Sequence, residues 1–245
     1  MALEYQEYAP SAPLQPFVEC LWSVKAGESV PAYVVPPDGC VDLVYSERAG
    51  LVAVGTMTTR QTMVLPAGEE VVGIRFRPGL GRSFLHVPPG QLTDLLVPVE
   101  DLWGRAGREL SRQLEDASSV IERVALLAGA ARATQTQVNV LHQAIGALVA
   151  TEGEADLDGI ASQANLSPRQ FRRRCQEEAG LSPKHLCRVL RFRRALRILD
   201  SGAIWNAADL AAECGYYDQA HFIRDFREFQ GCTPGEYAAS RQQNR

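Results

Sequence analysis

The spacing of apolar residues along the chain changes near residue 80. Before that point, short apolar runs alternate with Gly, Pro and charged breaks, which is typical of β-strands. These runs cover 17–24, 41–45, 51–55, 59–65 and 71–77. After that point, apolar residues recur at helical spacing over 80–86, 91–96, 102–114, 118–131 and 138–151. The pattern predicts an α+β chain, in which a small antiparallel β-barrel or sandwich with helices precedes an all-α domain.

Alternation along the strands selects side chains that could line an effector pocket. The first run places four residues on one side: Val18, Cys20, Trp22 and Val24. The pocket candidates are Trp22, Asp38, Tyr45, Arg75 and Arg77. Aromatic residues at such positions are more often simple core, and turn geometry alone explains Asp38 before a glycine. A salt-bridged or solvated face is the favoured interpretation of the two arginines.

The C-terminal part contains one short helical pattern twice. Three pairs share an offset of 51 residues: Phe171 and Phe222, Gly180 and Gly231, Pro183 and Pro234. Each copy reads as helix, tight turn, helix, with Asn165 and Gly215 where the turns need a left-handed backbone. Ser167 and Gln170 have the spacing of a capping box. This pattern is that of a helix-turn-helix, whose second helix enters the DNA major groove.

A strongly basic helix is predicted between the two copies, over 183–201. Ser182 caps it and Gly202 ends it. Its arginines are Arg188, Arg191, Arg193, Arg194 and Arg197. At about 1.5 Å per residue the helix spans roughly 27 Å, near the ~34 Å between successive major-groove faces. A stiff cationic spacer could therefore place both second helices on the same side of a duplex.

Two unequal helix-turn-helix units, the connecting helix and a closing G-x-[ST]-P-x-x-Y motif at Gly231–Tyr237 resemble the AraC/XylS-type transcription regulators, over 138–239. The resemblance implies a DNA-binding domain behind a variable sensing or dimerising domain. By position, it implies that the base-reading residues are Arg169, Arg172, Arg173, Gln219, Ala220, Ile223 and Arg224. The predicted DNA-contacting set also includes Gln170 and His221. Asn165 and Cys175 depart from the family pattern, which usually has Gly and a bulky apolar residue there.

Four short motifs of the N-terminal part are also familiar. They are Pro37–Cys40, Gly73–Gly79, Leu92–Asp94 and Leu102–Gly104. Together they resemble an uncharacterised domain often found ahead of AraC-type DNA-binding domains. That family implies no ligand. The likeness to a small cupin-like barrel, the usual sensing domain of these regulators, is architectural only.

Charge divides the chain at the same place. Residues 1–155 hold 11 basic and 18 acidic residues, a formal charge of −7, whereas residues 156–245 hold 14 and 11, a charge of +3. This asymmetry favours a nucleic-acid module joined to an acidic partner domain. The predicted boundaries are 1–132 for the N-terminal domain, 133–137 for a polar linker and 138–245 for the DNA-binding domain.

Catalytic and metal-binding patterns are missing from the sequence. Residues 1–130 contain one histidine, His86, which nearly excludes a metal-dependent cupin enzyme. No G-x-S-x-G, P-loop or strand-linked G-x-G-x-x-G motif occurs. The six cysteines form no C-x-x-C pair and are interpreted as apolar filler. We therefore predict no catalytic residue, no metal and no cofactor.

The expected function is a one-component regulator that binds double-stranded DNA and responds to a small-molecule effector at the N-terminal domain. The alternatives are an effector-independent DNA-binding regulator and an enzyme domain fused to a DNA-binding module. RNA polymerase is a candidate partner, and the helices between 101 and 131 are the predicted surface of a homodimer. No run approaches the ~20 apolar residues of a membrane span, and the first residues lack a signal region, so a cytoplasmic protein is expected.

Overall fold

The computed structural model describes residues 3–27, 32–132, 138–202 and 206–243, without the side chains of 242 and 243. The predicted linker 133–137 lies outside the described residues. Apolar side chains form two large buried clusters, one within 14–131 and the other within 141–229. These clusters are the cores of an N-terminal and a C-terminal domain, which confirms the α+β class.

Eight short strands in the described residues build the N-terminal domain. They are β1 (Glu4–Tyr8), β2 (Val18–Lys25), β3 (Tyr33–Val35), β4 (Val41–Ser46), β5 (Gly50–Val54), β6 (Gln61–Met63), β7 (Glu70–Phe76) and β8 (Leu96–Pro98). Six strands form an antiparallel sheet in the order β1-β2-β7-β4-β5-β8, and β3 pairs with β6 in a separate ribbon. The arrangement is an open, sandwich-like one, with β1 and β8 at the edges of the large sheet.

Strand β2 departs from the predicted alternation. Its register against β7 shifts between Val18 and Cys20. Val18 is fully buried in the main core with Leu21, whereas Trp22 and Val24 pack in a smaller cluster. The prediction that Val18 shares a side with Trp22 is therefore wrong, because a bulge adds one residue and reverses the alternation.

The helices of the N-terminal domain are α1 (Arg82–Leu85), α2 (Val99–Trp103), α3 (Arg105–Asp116) and α4 (Val120–Arg132). The helix predicted over 91–96 is wrong. Pro89–Gln91 forms a short 3₁₀ turn, and the chain then becomes β8, which pairs with β5. The helix predicted over 102–114 is split at Gly104, whose φ of +57° interrupts the regular backbone.

The described part of the C-terminal domain is helical throughout. Its helices are α5 (Val140–Ala150), α6 (Leu157–Gln163), α7 (Pro168–Ala179), α8 (Pro183–Asp200), α9 (Ala207–Glu213), α10 (Gln219–Gln230) and α11 (Pro234–Gln243). Helix α8 begins after Ser182, whose side chain accepts a hydrogen bond from the amide of His185. Val189 and Phe192 of α8 are fully buried at the centre of the core. The predicted connecting helix is confirmed.

Candidate nucleic-acid interface

The turn between α6 and α7 has the local structure predicted for it. Asn165 adopts the left-handed backbone, with φ of +53°. Ser167 and Gln170 form a capping box: the Ser167 side chain accepts from the Gln170 amide, and Gln170 Oε1 accepts from the Ser167 amide at 2.9 Å. These bonds satisfy amide groups that the first helical turn leaves unpaired and fix where α7 begins.

The turn between α9 and α10 has the same backbone features, a left-handed residue and a helix cap, but uses different residues. Gly215 has φ of +69°, and a Cβ built on it would lie 2.4 Å from Cγ of Glu154. A larger residue would adopt this backbone with strain and would have to displace the side chain of Glu154. Asp218 then caps α10, because its carboxylate accepts from the amide of His221 at 2.6 Å.

Helices α7 and α10 each bury one apolar face. Helix α7 buries Phe171 and Cys175, and α10 buries Phe222, Phe226 and Phe229. Burial raises the pKa of the Cys175 thiol to about 12, so this side chain stays neutral and packs as a small apolar group. These buried faces orient both helices and leave their opposite faces to solvent.

The exposed face of α7 carries unpaired positive charge. Its exposed arginines are Arg169, Arg172, Arg173 and Arg174. Within the described residues none of the four makes an ion pair or a side-chain hydrogen bond. Arg169, Arg172 and Arg173 are predicted DNA contacts, whereas Arg174, the next residue in the chain, is not in the predicted set. The fourth predicted contact, Gln170, uses its Oε1 in the capping box, which leaves its amide nitrogen for another partner.

The exposed face of α10 is smaller and carries less charge. Gln219, Ala220 and Arg224 are exposed, and no ion pair of Arg224 exists in the part of the chain that the structure describes. Ile223 is half-buried against the domain core. The predicted set on α10 therefore presents an amide, a methyl group and one guanidinium to a partner.

For two residues beside this face, His221 and Tyr217, the structure differs from the sequence prediction. His221 is a predicted contact, yet its ring packs edge-on against Tyr216 at 5.2 Å, and its Nε2 lies 3.6 Å from Asp225 Oδ2. Tyr217 was not selected, and its side chain is 93% exposed in the turn ahead of α10. The sequence signal for an exposed Tyr217 is its place directly after Tyr216, because one tyrosine is enough to fill the core position.

The arginines of α8, the predicted cationic spacer, are not free in solvent. Each meets an acceptor from another segment. The partners are Asp225 and Glu228 for Arg188, the Gly153 carbonyl for Arg191, Glu19 for Arg193, Glu154 and Glu213 for Arg194, and Glu152 for Arg197. The interaction of Arg188 with Asp225 is bidentate, with donor–acceptor distances of 2.8 and 3.2 Å. Helix α8 is therefore a packed spacer, and the free charge lies on α7.

Family models match two separate parts of the chain. A helix-turn-helix domain matches residues 160–240, and a domain of unknown function (DUF6597) matches residues 6–98. The C-terminal domain is an AraC-type helix-turn-helix domain. Both resemblances predicted from the sequence motifs are confirmed.

Curated relatives and a solved structure are similar to part of the chain. The chain is 30% identical over 136 residues to the transcriptional activator RhaR of Pectobacterium carotovorum, covering 52% of this chain and 46% of RhaR. It is 34% identical over 84 residues to the transcriptional regulator GadX of Escherichia coli, covering 34% and 30%. A transcriptional regulator structure from Chromobacterium violaceum is 28% identical, covers 42% of this chain and 93% of that one, and has a TM-score of 0.39. The chain thus spans less than half the length of these curated relatives.

Away from the AraC-type domain, three of the five predicted pocket residues meet on the large sheet. Arg75 Nε lies 3.0 Å from Asp38 Oδ2 and 3.3 Å from Asp42 Oδ1, and Trp22 Nε1 donates to Asp42 Oδ1 at 2.9 Å. Burial raises the pKa of Asp42 to about 6, against the opposing charge of Arg75. Asp42 was missed, although an acidic residue inside the apolar strand β4 was a signal for it.

The other two pocket candidates lie elsewhere. Tyr45 is three residues from Asp42 on β4, so its side chain points to the opposite sheet face and is buried in the main core. Arg77 follows the end of β7, and its Nε donates to the carbonyl of Gln15 at 3.1 Å. Tyr45 and Arg77 therefore do not join the cluster of Trp22, Asp38 and Arg75.

The described residues contain no metal-ligand cluster and no membrane-spanning helix. Among the residues that the structure describes, no group of three or more His, Cys, Asp or Glu side chains is placed to hold a metal ion. Over the same ranges, no helix combines the length and the apolar character needed to cross a membrane. The six cysteines are free thiols, and burial raises the pKa of Cys187 and Cys214 as it does that of Cys175.

Proposed function

We propose that the chain is a one-component transcription regulator that binds double-stranded DNA through α7 and α10. The observation that carries the proposal is the difference in arginine pairing within one domain. The exposed arginines of α7 have no partner in the described residues, whereas those of α8 are engaged. Unpaired guanidinium groups on a recognition helix suit guanine edges and phosphates, which are the commonest arginine targets in DNA.

The positions of these side chains suit contacts with base edges from both helices. Arg169, Arg172 and Arg173 lie in the first half of α7, and residues near the start of a recognition helix contact base edges. Arg169 and Arg172 are three residues apart and so share a helix face. On α10, Gln219 stands at the first position, where its amide can pair with an adenine edge, and Arg224 lies further along.

In this proposal the N-terminal domain provides the regulatory input. An open groove of about 860 Å³ lies along α3 and α4 and is lined mainly by apolar side chains, among them Trp103, Leu110 and Leu126. A groove of this size is large enough for a small-molecule effector. Control by an effector bound in this open groove is part of the proposal. Contacts with RNA polymerase and pairing of two chains through α3 and α4 stay predictions.

The test begins by selecting binding sites from random duplex DNA with the full chain. Gel-shift titrations on the selected site, at fixed salt, then compare Arg172→Ala and Arg224→Ala with the wild type. Each substitution is expected to weaken binding by about 1–3 kcal/mol, because each removes a contact that discriminates between bases. The matched control is Arg197→Ala, which removes the same charge from α8, where Glu152 neutralises it.

The control decides between specific and general electrostatic effects. Arg197→Ala is expected to bind the selected site as the wild type does. Equal losses in all three variants would mean that net charge, and not the position on α7 and α10, controls binding. Wild-type affinity in both Arg172→Ala and Arg224→Ala would refute the assignment of these helices to DNA.

A further inference from the structure

Several of the N-terminal motifs lie where that domain meets the AraC-type domain. Gly39 and Gly79 both have positive φ, and a Cβ built on either would lie 2.7 Å from a side chain of the other domain. The opposing side chains are Leu186 of α8 and Ile145 of α5. The two domains therefore pack at a distance that only glycine permits at these positions.

The loop between β5 and β6 is central to this contact. We name residues 55–60 the brace loop. Asp94, from the Leu92–Asp94 motif, pins it: the amide and the hydroxyl of Thr58 donate to the two oxygens of Asp94 at 2.7 and 2.6 Å. The Asp94 amide in turn donates to the carbonyl of Thr56 at 3.1 Å. The brace loop is thus held in one conformation by the N-terminal domain itself.

One end of the brace loop reaches the C-terminal end of α7. Thr56, which is fully buried, donates its hydroxyl to the carbonyl of Ala179 at 2.9 Å. Thr93 donates its hydroxyl to the carbonyl of Gly180 at 3.0 Å. Gly180 ends α7 in the left-handed conformation, and a Cβ there would lie 2.8 Å from Thr56 Oγ1. Two carbonyls at the end of α7, which backbone bonds of the helix do not satisfy, thus bind the N-terminal domain, and Gln176 Nε2 also donates to that of Gly180 at 2.6 Å.

The other end of the brace loop reaches the C-terminal end of α10. Arg60 Nη1 donates to the carbonyls of Arg227 and Glu228 at 3.2 and 3.1 Å. A guanidinium at the carbonyl end of a helix also interacts favourably with the helix dipole. Between the two ends, His185 of α8 donates from Nε2 to the carbonyl of Thr58 at 3.1 Å. Three residues of one loop, Thr56, Thr58 and Arg60, therefore contact α7, α8 and α10.

These contacts lie at the ends of α7 and α10 that do not read DNA in the proposed function. We propose that the brace loop sets the separation of the two recognition helices, and through it the spacing between the two half-sites that one chain accepts. This inference rests on the proposed function. It makes Thr56 and Arg60 positioning residues, which act on DNA recognition through the helix ends without touching DNA.

Two paths connect α7 to α10 in this arrangement. The first is the domain core, where Phe192 of α8 packs against Phe226 and Phe229 at ring distances of 5.3 and 5.4 Å. The ion pair of Arg188 with Asp225 also belongs to the first path. The second is the brace loop, which belongs to the N-terminal domain and its separate core. In the proposal, the hydrogen bonds of Arg60 at the far end of α10 add to the contacts of the first path in fixing where α10 lies on α8. Loss of the second path is therefore expected to broaden the accepted spacing without unfolding the domain.

The experiment uses the full chain and its selected bipartite site. The half-site spacing is lengthened or shortened by one and two base pairs, each about 3.4 Å. The wild type is expected to prefer one spacing by about tenfold, which corresponds to ~1.4 kcal/mol. In Arg60→Ala and in Thr56→Val the preference falls at least severalfold, while affinity for an isolated half-site is unchanged. The matched control is Arg77→Ala, whose guanidinium bonds only to the Gln15 carbonyl in the described residues.

Three outcomes are informative. An Arg60→Ala chain with the spacing profile of the wild type overturns the inference, provided its thermal unfolding shows a folded protein. A change in Arg77→Ala equal to that in Arg60→Ala also overturns it, because the effect would then come from charge alone. A wild-type chain that selects no bipartite DNA site overturns the proposed function, and the role of the brace loop fails with it. Thr56→Val removes one hydroxyl at nearly constant volume, so it tests the loop even if Arg60→Ala is unstable.

Discussion

Helices α7 and α8 are neighbours in the chain and both are rich in arginine, yet their charges have different fates. The arginines of α7 point to solvent without ion pairs in the described residues. The arginines of α8 meet acidic groups or carbonyls contributed by the α5–α6 connection, α9, α10 and β2. The same residue type is thus available to a partner on one helix and part of the internal packing on the next.

The comparison teaches that arginine density in a sequence does not measure cationic surface. Most arginines of α8 are partly covered by segments that supply a carboxylate or a carbonyl, and the more exposed Arg197 still meets Glu152. The arginine-bearing face of α7 has no such partner in the described residues, because its neighbours lie on its apolar face and at its C-terminal end. The free charge of a helix therefore depends on how many of its faces are covered, which is a property of the fold.

The largest expected effect comes from Arg188 on α8. Asp225 is nearly buried, with its side chain 5% exposed, and Arg188 is its bidentate partner. Arg188→Ala leaves that nearly buried carboxylate without its bidentate partner and with only His221 beside it, so the free energy of unfolding is expected to fall by about 3 kcal/mol. Urea unfolding of the full chain measures it. Arg172→Ala on α7 is the matched substitution and is expected to leave stability nearly unchanged.

The double variant Arg188→Met with Asp225→Asn sharpens this prediction. It removes both charges and keeps an amide oxygen at position 225. Its stability is expected to exceed that of Arg188→Ala, because no unpaired charge is left inside the protein. If Arg188→Ala were no less stable than Arg172→Ala, the distinction between the two helices would be lost.

Local features of this region could be predicted from the sequence, and distant pairings could not. The left-handed Asn165 and the capping box of Ser167 and Gln170 depend on residues at most three positions apart, and both are confirmed. The partner of Arg188 is 37 residues away, and that of Arg193 is 174 residues away. Such partners are set by tertiary packing, which apolar spacing does not encode.

The same limit applies to the N-terminal cluster. Trp22, Asp38 and Arg75 were selected because polar and aromatic residues stand in a β-rich region, and they do meet. Tyr45 was selected on the same ground, but strand alternation directs it to the opposite face. The bulge after Val18 could not be foreseen, because a one-residue insertion in a strand leaves the apolar pattern readable in either phase.

The next expected effect is a pH dependence of stability that comes from Asp42, close to Arg193 of α8. Arg193 donates to the Asp38 carbonyl at 3.1 Å and so adjoins the cluster that contains Asp42. Burial raises the pKa of Asp42 from 3.8 to about 6. Folded protein therefore holds this proton more tightly than unfolded protein, and the contribution to stability is lost as the pH rises from about 4 to about 6.

Asp42→Asn isolates this contribution. The variant keeps an oxygen for Trp22 Nε1 and removes the titration. The stability of the wild type relative to the variant is expected to fall by about 1–3 kcal/mol between pH 4 and pH 7, measured by urea unfolding across that range. The subtraction matters because Glu19 has the opposite sign: burial opposes it, but Arg193 holds the pKa of Glu19 below its usual value. A constant difference over this range would contradict the raised pKa.

The smallest expected effect lies on the same helix as the largest. Arg197 is paired with Glu152, but its side chain is 65% exposed, so water competes with the carboxylate and the pair contributes little. Arg197→Ala is expected to change the free energy of unfolding by less than about 0.5 kcal/mol. Urea unfolding of Arg197→Ala, compared with that of Arg188→Ala and the wild type, measures this change in the free energy of unfolding. A large loss in Arg197→Ala would mean that the network of α8 acts as a unit. A small one shows that burial of the partner, and not the number of ion pairs, decides which arginines hold this domain together.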